Sequence, residues 1–131
     1  LTLMVQNEVA ERLAAKPGSM SLLSLMAQYY ASVEKKIFVS KQAFDPIPKV
    51  DSAVIYIVPR RPYHPEEDHK VFRLARAGFA ARRKTLANNL SNALHVPRVA
   101  VEAKLTLLGL APLVRAQELS VEEWQALAEI M

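Results

Sequence analysis

The segment "AFDPIPKVDSAVIYIV", Ala43–Val58, determines how the first half of this 131-residue chain is interpreted. Pro46 and Pro48 follow Phe44 closely, and each proline fixes its own φ and biases the residue before it toward extended backbone. The alternating apolar residues from Ala53 to Val58 are typical of a largely buried strand. The sequence therefore predicts a stiff loop that holds Phe44 at the entrance to a core strand.

The side chain of Phe44 has two interpretations. Most aromatic side chains are packing residues, so Phe44 can be a core plug beneath a structural turn. Alternatively, an aromatic ring held in place by prolines can stack on a nucleic-acid base that has left its stack, because chemistry on a base requires such extrusion. Phe44 is therefore a candidate site residue on one interpretation and a structural residue on the other.

The composition is that of an ordinary globular protein, with 51% hydrophobic and 23% charged residues. The absence of cysteine excludes disulfides and thiolate metal sites. No apolar run is long enough to cross a bilayer, and the N-terminus lacks the regions of a signal peptide, so we expect a cytoplasmic protein with no membrane partner. The chain starts at Leu1 without an initiator methionine, which indicates a processed chain or a fragment.

Residues 1–59 have the pattern of part of an α/β domain. They are too few to close a complete domain of that class. The expected elements are a strand over Leu1–Val5, a helix within Gln6–Gly18, a helix within Leu22–Ser32, and an antiparallel pair of strands over Val33–Ser40 and Ser52–Val58.

Residues 60–67 are rich in proline and predict a semi-rigid linker, and residues 68–131 predict a small helical unit. Its apolar residues recur at helical spacing, with one face formed by Leu86, Leu90 and Leu94. Pro97 is expected to start a helix that ends before Gly109, and Ser120 with Glu123 predicts a capping box for the last helix.

The positive charge of the chain, +4 in total, is concentrated in one segment. Between Lys70 and Lys104 there are eight basic residues and one acid. Such a segment favours a polyanion as partner. Three consecutive cations followed by two amides suit a phosphate backbone and its sugar hydroxyls, although a solvated charge run is the equally weighted alternative. The candidate RNA-binding residues are Arg82, Arg83, Lys84, Asn88, Asn89 and Lys104.

Other sites of chemistry have no support in the sequence. The three glycines, Gly18, Gly78 and Gly109, are far apart, so no glycine-rich loop can hold a phosphate or a cofactor. The histidines have no spacing typical of metal ligands, so no metal site is expected. No nucleophile, histidine and acid occur in a recognisable catalytic pattern.

Three segments in the same order resemble blocks of the ribosomal RNA adenine dimethyltransferase family. They are "FDPIPKVDSAV" from Phe44, which is similar to the family's Phe-x-Pro-x-Pro-x-Val-Asp-Ser signature, "MVQNEVAERLAAKPGS" from Met4, and "FAARRKTLANNL" from Phe79. The resemblance implies an α+β fragment. It comprises the last strands and helices of a Rossmann-like methyltransferase sheet that uses S-adenosyl-L-methionine, followed by a small all-α C-terminal domain.

The resemblance also implies roles for individual residues. Phe44 would stack on the target adenine, Pro46 and Pro48 would form the wall of its pocket, and Val50 and Asp51 would fix the loop against the next strand. The helical domain would bind small-subunit ribosomal RNA, or the immature small subunit, through Arg82–Lys84. The reaction implied is dimethylation of the exocyclic amines of two adjacent adenosines near the end of that RNA.

The resemblance covers only part of the family's machinery. The glycine-rich cofactor loop, the acidic ribose ligand and the Asn-Pro-Pro-Tyr-like catalytic motif would all precede Leu1. We therefore expect that the isolated chain neither binds the cofactor nor turns over. The strand Leu1–Val5 would keep an unpaired edge and apolar faces, which favours dimerisation.

Three other interpretations remain open at the level of sequence. Related methyltransferases modify large-subunit RNA and give macrolide resistance, and charge does not distinguish the two RNAs. A non-catalytic RNA-binding or assembly module needs only shape and phosphate contacts. A generic helical interaction domain would carry the basic segment as a solvated face.

Overall fold

The computed structural model describes residues 1–131 and divides them into two compact units. The first unit comprises Leu1–Ala15 with Leu23–Pro62, and the second comprises Lys16–Leu22 with Tyr63–Met131. No helix combines the length and the apolar character that crossing a membrane requires. The strands are β1 (Thr2–Gln6), β2 (Ala31–Val39) and β3 (Ser52–Pro59), and the helices are α1 (Asn7–Leu13), α2 (Leu22–Tyr30), α3 (Pro65–Gly78), α4 (Leu86–Leu94), α5 (Arg98–Leu107) and α6 (Val121–Ile130).

The first unit is built on a three-stranded sheet in the order β1-β3-β2, with both pairings antiparallel. The expected pairing of β2 with β3 is present. β3 lies in the centre because β1 pairs with its other edge, with Met4 opposite Val54 and Gln6 opposite Ser52. The outer edge of β1 has no strand beside it.

One face of this sheet is covered and the other is open. Ala10 of α1 packs with Ala53 and Ile55 of β3, and all three are fully buried. Residues of the opposite face are partly exposed, including Met4 at 56% and Ile37 at 57%. The alternation in β3 therefore fixes which side chains enter the core, as period-2 patterning requires.

The residues after β3 close the C-terminal end of α2. Its last carbonyl groups lack partners within the helix, as at every helix end. The Arg60 guanidinium donates to the Gln28 carbonyl, Arg61 Nη1 donates to the Tyr29 carbonyl at 2.7 Å, and the Arg60 N–H donates to the Tyr30 carbonyl at 2.8 Å. Arg60 and Arg61, which the sequence assigned to a linker, are therefore bound to the first unit.

The linker expected at residues 60–67 is shorter in the structure. Pro65, Glu66 and Glu67 already form the first turn of α3. Proline is well suited to that position because its fixed φ matches the helix and its missing N–H would have no partner there. Between Arg61 and this helix only Pro62, Tyr63 and His64 remain outside regular structure.

The second unit packs its helices around Trp124 of α6, which is fully buried. The Trp124 ring stacks on Phe79 with centroids 5.6 Å apart. A Cβ atom at Gly78 would lie 2.6 Å from Trp124 Cη2 and 2.7 Å from Leu86 Cδ1, so the close approach of α3 to its neighbours requires glycine. Leu86 and Leu90, which the helical spacing placed on one face, are fully buried in this core, and so is Leu105.

Lys16–Leu22 belong to the second unit, although they lie between two helices of the first in sequence. The Gln117 carbonyl accepts hydrogen bonds from the N–H groups of Gly18, at 2.8 Å, and Met20, at 3.2 Å. The Met20 side chain is 2% exposed. No pattern in the sequence predicted this assignment, because it depends on a contact between residues about a hundred positions apart.

The local signals at the helix ends agree with the structure. α5 starts directly after Pro97, and Gly109 has a φ of +79° just beyond its end. Ser120 Oγ accepts from the Glu123 N–H at 3.1 Å, and Glu123 Oε1 accepts from the Ser120 N–H at 2.9 Å, which is the expected capping box. These features need only neighbouring residues, so sequence alone is sufficient to predict them.

Replacing Ser120 with alanine is expected to lower the free energy of unfolding by about 1 kcal/mol, because the N-cap hydrogen bond is lost. Chemical denaturation of the chain measures this difference. Glu129→Ala, at an exposed position in the last turn of α6, serves as the control and should change stability by less than about 0.5 kcal/mol. Equal effects of the two substitutions would contradict the capping role.

Candidate nucleic-acid interface

The loop between β2 and β3 begins with a single turn of 3-10 helix, Lys41–Ala43. Ser40 Oγ accepts a hydrogen bond from the Gln42 N–H at 3.2 Å and so caps this turn. The Phe44 N–H then donates to the Lys41 carbonyl at 3.3 Å, and Phe44 itself is extended. The turn therefore ends at the aromatic residue and sets the direction in which the loop leaves it.

Asp51 ties the two ends of this loop together. Its Oδ1 accepts from the Lys41 N–H at 2.8 Å, and its carbonyl oxygen accepts from the Asn7 N–H at 2.9 Å at the start of α1. A carboxylate that receives a backbone N–H makes a relatively strong hydrogen bond. Asp51 thus has the contacts that an anchoring residue needs. The Val50 side chain is exposed.

Phe44, Pro46 and Pro48 line one cavity of about 320 Å³. Phe44 is half-buried, and both prolines are exposed. Met4 of β1 and Ser52 of β3 line the same cavity, together with Asp45. Sequence reasoning missed Met4, since only the pairing of β1 with β3 brings it to the loop. Ser52 follows the loop directly in sequence and was assigned only to the strand.

The basic residues Arg82, Arg83 and Lys84 lie in the turn between α3 and α4 and are all exposed. None of the three forms an ion pair within the protein. The turn ends at Thr85, whose Oγ1 accepts the Asn88 N–H at 3.2 Å and caps α4. Three unpaired cations are thus presented together on a turn whose position is fixed by the helices on both sides.

Asn89 does not belong to this exposed surface, so its expected role in binding RNA is wrong. Its side chain is 4% exposed, and Nδ2 donates to the carbonyl groups of Gly78 at 2.8 Å and Ala81 at 2.9 Å. The amide therefore closes the α3–α4 turn from inside. Asn88 is half-buried in the first turn of α4 and remains a candidate for contact with RNA.

Substituting Asn89 with alanine is expected to reduce the free energy of unfolding by about 1–2 kcal/mol, because two backbone carbonyls lose their donor. Asn88→Ala is the matched control and should cost less than about 0.5 kcal/mol. Denaturant unfolding gives both values. A stable Asn89→Ala variant that has lost affinity for RNA would restore the contact role.

Lys104 is also engaged within the protein. Its Nζ donates to the Ile130 carbonyl at 2.8 Å, where the carbonyl groups at the end of α6 lack partners within the helix. The side chain is half-buried rather than free. A cation near a helix C-terminus stabilises that helix end. Binding of RNA by Lys104 stays a prediction.

The residues of this chain do not fit a site for S-adenosyl-L-methionine. Gly18 and Gly109 occur singly in turns, and Gly78 is enclosed between Trp124 and Leu86, so the glycines do not form the glycine-rich loop that holds the phosphates of many nucleotide cofactors. No group of three or more histidine, aspartate or glutamate side chains is arranged to hold a metal ion.

The chain is thus an α+β protein with two candidate sites, a cavity lined by an aromatic residue in one unit and a turn with three exposed cations in the other. The comparisons identify the family. The chain belongs to the family described as "Ribosomal RNA adenine dimethylase", whose model matches residues 1–131.

Curated relatives and solved structures are similar over nearly the whole chain. It is 45% identical to "Ribosomal RNA small subunit methyltransferase A" of Synechococcus sp. (strain JA-2-3B'a(2-13)) and 40% identical to the protein of that name in Geobacillus sp. (strain WCH70), covering 100% of this chain and 47% of each relative. It thus spans about half the length of these relatives.

Similar solved structures include a dimethyladenosine transferase from Plasmodium falciparum and 23S rRNA methyltransferase ErmE, each with a TM-score of 0.74 and 25% identity. The matched regions comprise 96% and 98% of this chain, and 54% and 52% of the respective solved chains. One is named as a dimethyladenosine transferase and the other as an rRNA methyltransferase, and the fold of this chain is that of part of these proteins.

Proposed function

We propose that this chain supplies the adenine-stacking wall and the RNA-docking surface of a small-subunit rRNA adenine dimethyltransferase. The observation that supports the stacking wall is the placement of Phe44. Its ring lines an open cavity with Pro46 and Pro48, and the fully buried core of the first unit is built from other residues. An aromatic core plug would lie within that core.

The docking surface consists of Arg82, Arg83, Lys84 and Asn88. The support for it is electrostatic. The three cations are exposed and have no internal partner, so phosphate contacts would cost no existing ion pair. Contacts to phosphate and sugar position a protein on RNA without reading its sequence. Recognition of the target adenosines is then a separate task of the Phe44 cavity.

The reaction we propose for the full-length protein is dimethylation of the exocyclic amines of two adjacent adenosines near the 3′ end of small-subunit rRNA. S-adenosyl-L-methionine supplies the methyl groups, and residues outside this chain would hold it. This chain would contribute two steps to the mechanism. It would dock the RNA, and its Phe44 would stack on the extruded adenine. The protein would act in the cytoplasm on the immature small subunit, and this chain alone would have no activity.

The small-subunit substrate is favoured over the large-subunit substrate by sequence rather than by fold. The two solved structures are equally similar to this chain in fold, although one is named for 23S rRNA. The curated relatives at 40% and 45% identity are both named for the small subunit. For the chain on its own, a non-catalytic RNA-binding module is the accurate description.

The experiment that tests the reaction is methyl transfer by the full-length protein to unmethylated small subunits and, in parallel, to large-subunit RNA. Label from S-adenosyl-L-methionine should appear as dimethyladenosine in the small-subunit rRNA alone. Label in large-subunit RNA would support the related macrolide-resistance activity instead.

We further propose that this chain, when isolated, associates through β1. Its outer edge has free N–H and C=O groups, and such edges pair with other strands unless they are protected. Sedimentation at increasing concentration should show dimers that Met4→Lys weakens. Val99→Lys, at an exposed apolar position of the second unit, should leave the dimers intact. A monomer at all concentrations would contradict association.

A further inference from the structure

A second cavity, of about 350 Å³, lies within the helical unit. Its wall is apolar and is formed by Leu74 of α3, Leu94 of α4, Ala128 of α6 and Met131. Glu66, Lys70 and Arg73 of α3 complete the lining. The volume falls at the small end of the range of about 300–1,000 Å³ that is usual for pockets of small ligands.

The two cations at this cavity are free to meet an anion. Lys70 and Arg73 are exposed, and neither forms an ion pair within the protein. They are three residues apart on one helix, so their side chains are neighbours on the same side of α3. Arg76 lies three residues further along α3, and Arg82–Lys84 occur in the turn after this helix. The cavity is thus lined by the helix that leads to the docking turn.

The apolar wall includes a leucine that the sequence placed in the core. Leu94 shares the spacing of Leu86 and Leu90, which are fully buried, yet it is 38% exposed because it faces the cavity. Binding of an apolar ligand over Leu94 would be favourable, because it would remove the exposed apolar surface of this side chain from water. The site therefore suits a ligand with a flat apolar body and an anionic group.

We propose that this cavity binds one extruded nucleotide of the RNA, with the base against Leu74 and Leu94 and its phosphate on Lys70 and Arg73. This inference rests on the proposed function, because the nucleotide would belong to the RNA that the docking turn holds. A nucleotide combines an apolar face with a phosphate, and single-stranded RNA is commonly bound with its bases splayed out.

Glu66 at the edge of this cavity adds a preference among bases. Its carboxylate repels phosphate but can accept a hydrogen bond from an exocyclic amine. The site should therefore prefer bases that carry such an amine, and adenosine monophosphate should bind better than uridine monophosphate. Glu66→Gln should reduce that difference while retaining binding.

The test is an NMR titration of this chain carrying labelled methyl groups. Adenosine monophosphate, adenosine and inorganic phosphate are added in separate experiments. A single nucleotide should bind with a dissociation constant on the order of 1 mM, which corresponds to a small binding free energy. The methyl resonances of Leu74, Leu94 and Met131 should shift with adenosine monophosphate, and less with adenosine. The shifts should be lost in Lys70→Ala/Arg73→Ala and kept in Arg82→Ala/Arg83→Ala/Lys84→Ala.

Several outcomes would overturn the inference. Resonances that do not move with adenosine monophosphate, or that move equally in the Lys70/Arg73 variant, exclude a nucleotide site. Shifts produced by an acidic, apolar peptide and not by the nucleotide would assign the cavity to a protein partner.

RNA binding separates this inference from the proposed function. Lys70→Ala/Arg73→Ala should weaken binding of small-subunit rRNA about 5-fold at 0.1 M salt if the contact to one single-strand phosphate is lost. If RNA binding is unchanged in that variant but lost in the Arg82/Arg83/Lys84 variant, the nucleotide site is refuted and the role of the docking turn is supported. Binding unchanged in both would refute both.

Discussion

Replacing Arg82, Arg83 and Lys84 together with alanine is expected to weaken binding of the protein to small-subunit rRNA about 100-fold at 0.1 M salt. Each phosphate neutralised on a single strand contributes about 0.7 to the slope of log affinity against log salt. Loss of three such contacts makes that slope smaller by about 2. Because log affinity is linear in log salt, this corresponds to about a 100-fold loss of affinity at 0.1 M salt relative to 1 M. Binding measured at several salt concentrations gives both quantities.

The control for this variant removes the same charge from scattered positions. Lys16→Ala/Lys36→Ala/Arg98→Ala also lowers the net charge by three, but Lys36 and Arg98 form ion pairs with Glu34 and Glu102. This control should keep most of its affinity and most of its salt dependence. An equal loss in both variants would mean that net charge alone attracts the RNA and that the turn is a solvated face.

Phe44→Ala in the full-length protein is expected to reduce methyl transfer by a factor between about 5 and 150. That range corresponds to the stacking contribution of a single base, about 1–3 kcal/mol. The affinity for RNA should change little, because phosphate contacts carry most of it. Transfer rates at saturating RNA and equilibrium binding to the same RNA separate the two effects.

Two further substitutions control for damage to the loop. Phe44→Tyr keeps an aromatic face and should retain most of the activity. Ile47→Ala removes an exposed apolar side chain from the same loop and should have little effect. If Phe44→Ala lowered methyl transfer, RNA affinity and thermal stability together, the ring would be a core plug and the cavity would have no role.

Local signals were sufficient to predict much of this fold. The capping box at Ser120 and Glu123, the end of α5 at Gly109 and the pairing of β2 with β3 depend on residues close in sequence or on strong alternation. The Phe44 cavity was partly predictable for the same reason. Phe44, Pro46 and Pro48 lie within five residues, so the chain itself keeps them together.

The features that sequence did not predict depend on contacts between distant residues. Met4 reaches the Phe44 cavity only because β1 pairs with β3, and Lys16–Leu22 join the helical unit through Gln117. Asn89 and Lys104 were assigned to RNA by residue type. Their partners, the carbonyls at Gly78, Ala81 and Ile130, are backbone atoms that no sequence pattern reveals.

The central claim is that Phe44 receives an extruded adenine, and a fluorescent base at one target adenosine tests it most directly. Full-length protein would be bound to small-subunit rRNA in which 2-aminopurine replaces that adenosine. Because stacking on an aromatic ring quenches this base, the wild-type complex should fluoresce less than the complex with Phe44→Ala. Equal fluorescence in the two complexes, with both proteins fully bound, would show that the base does not stack on Phe44.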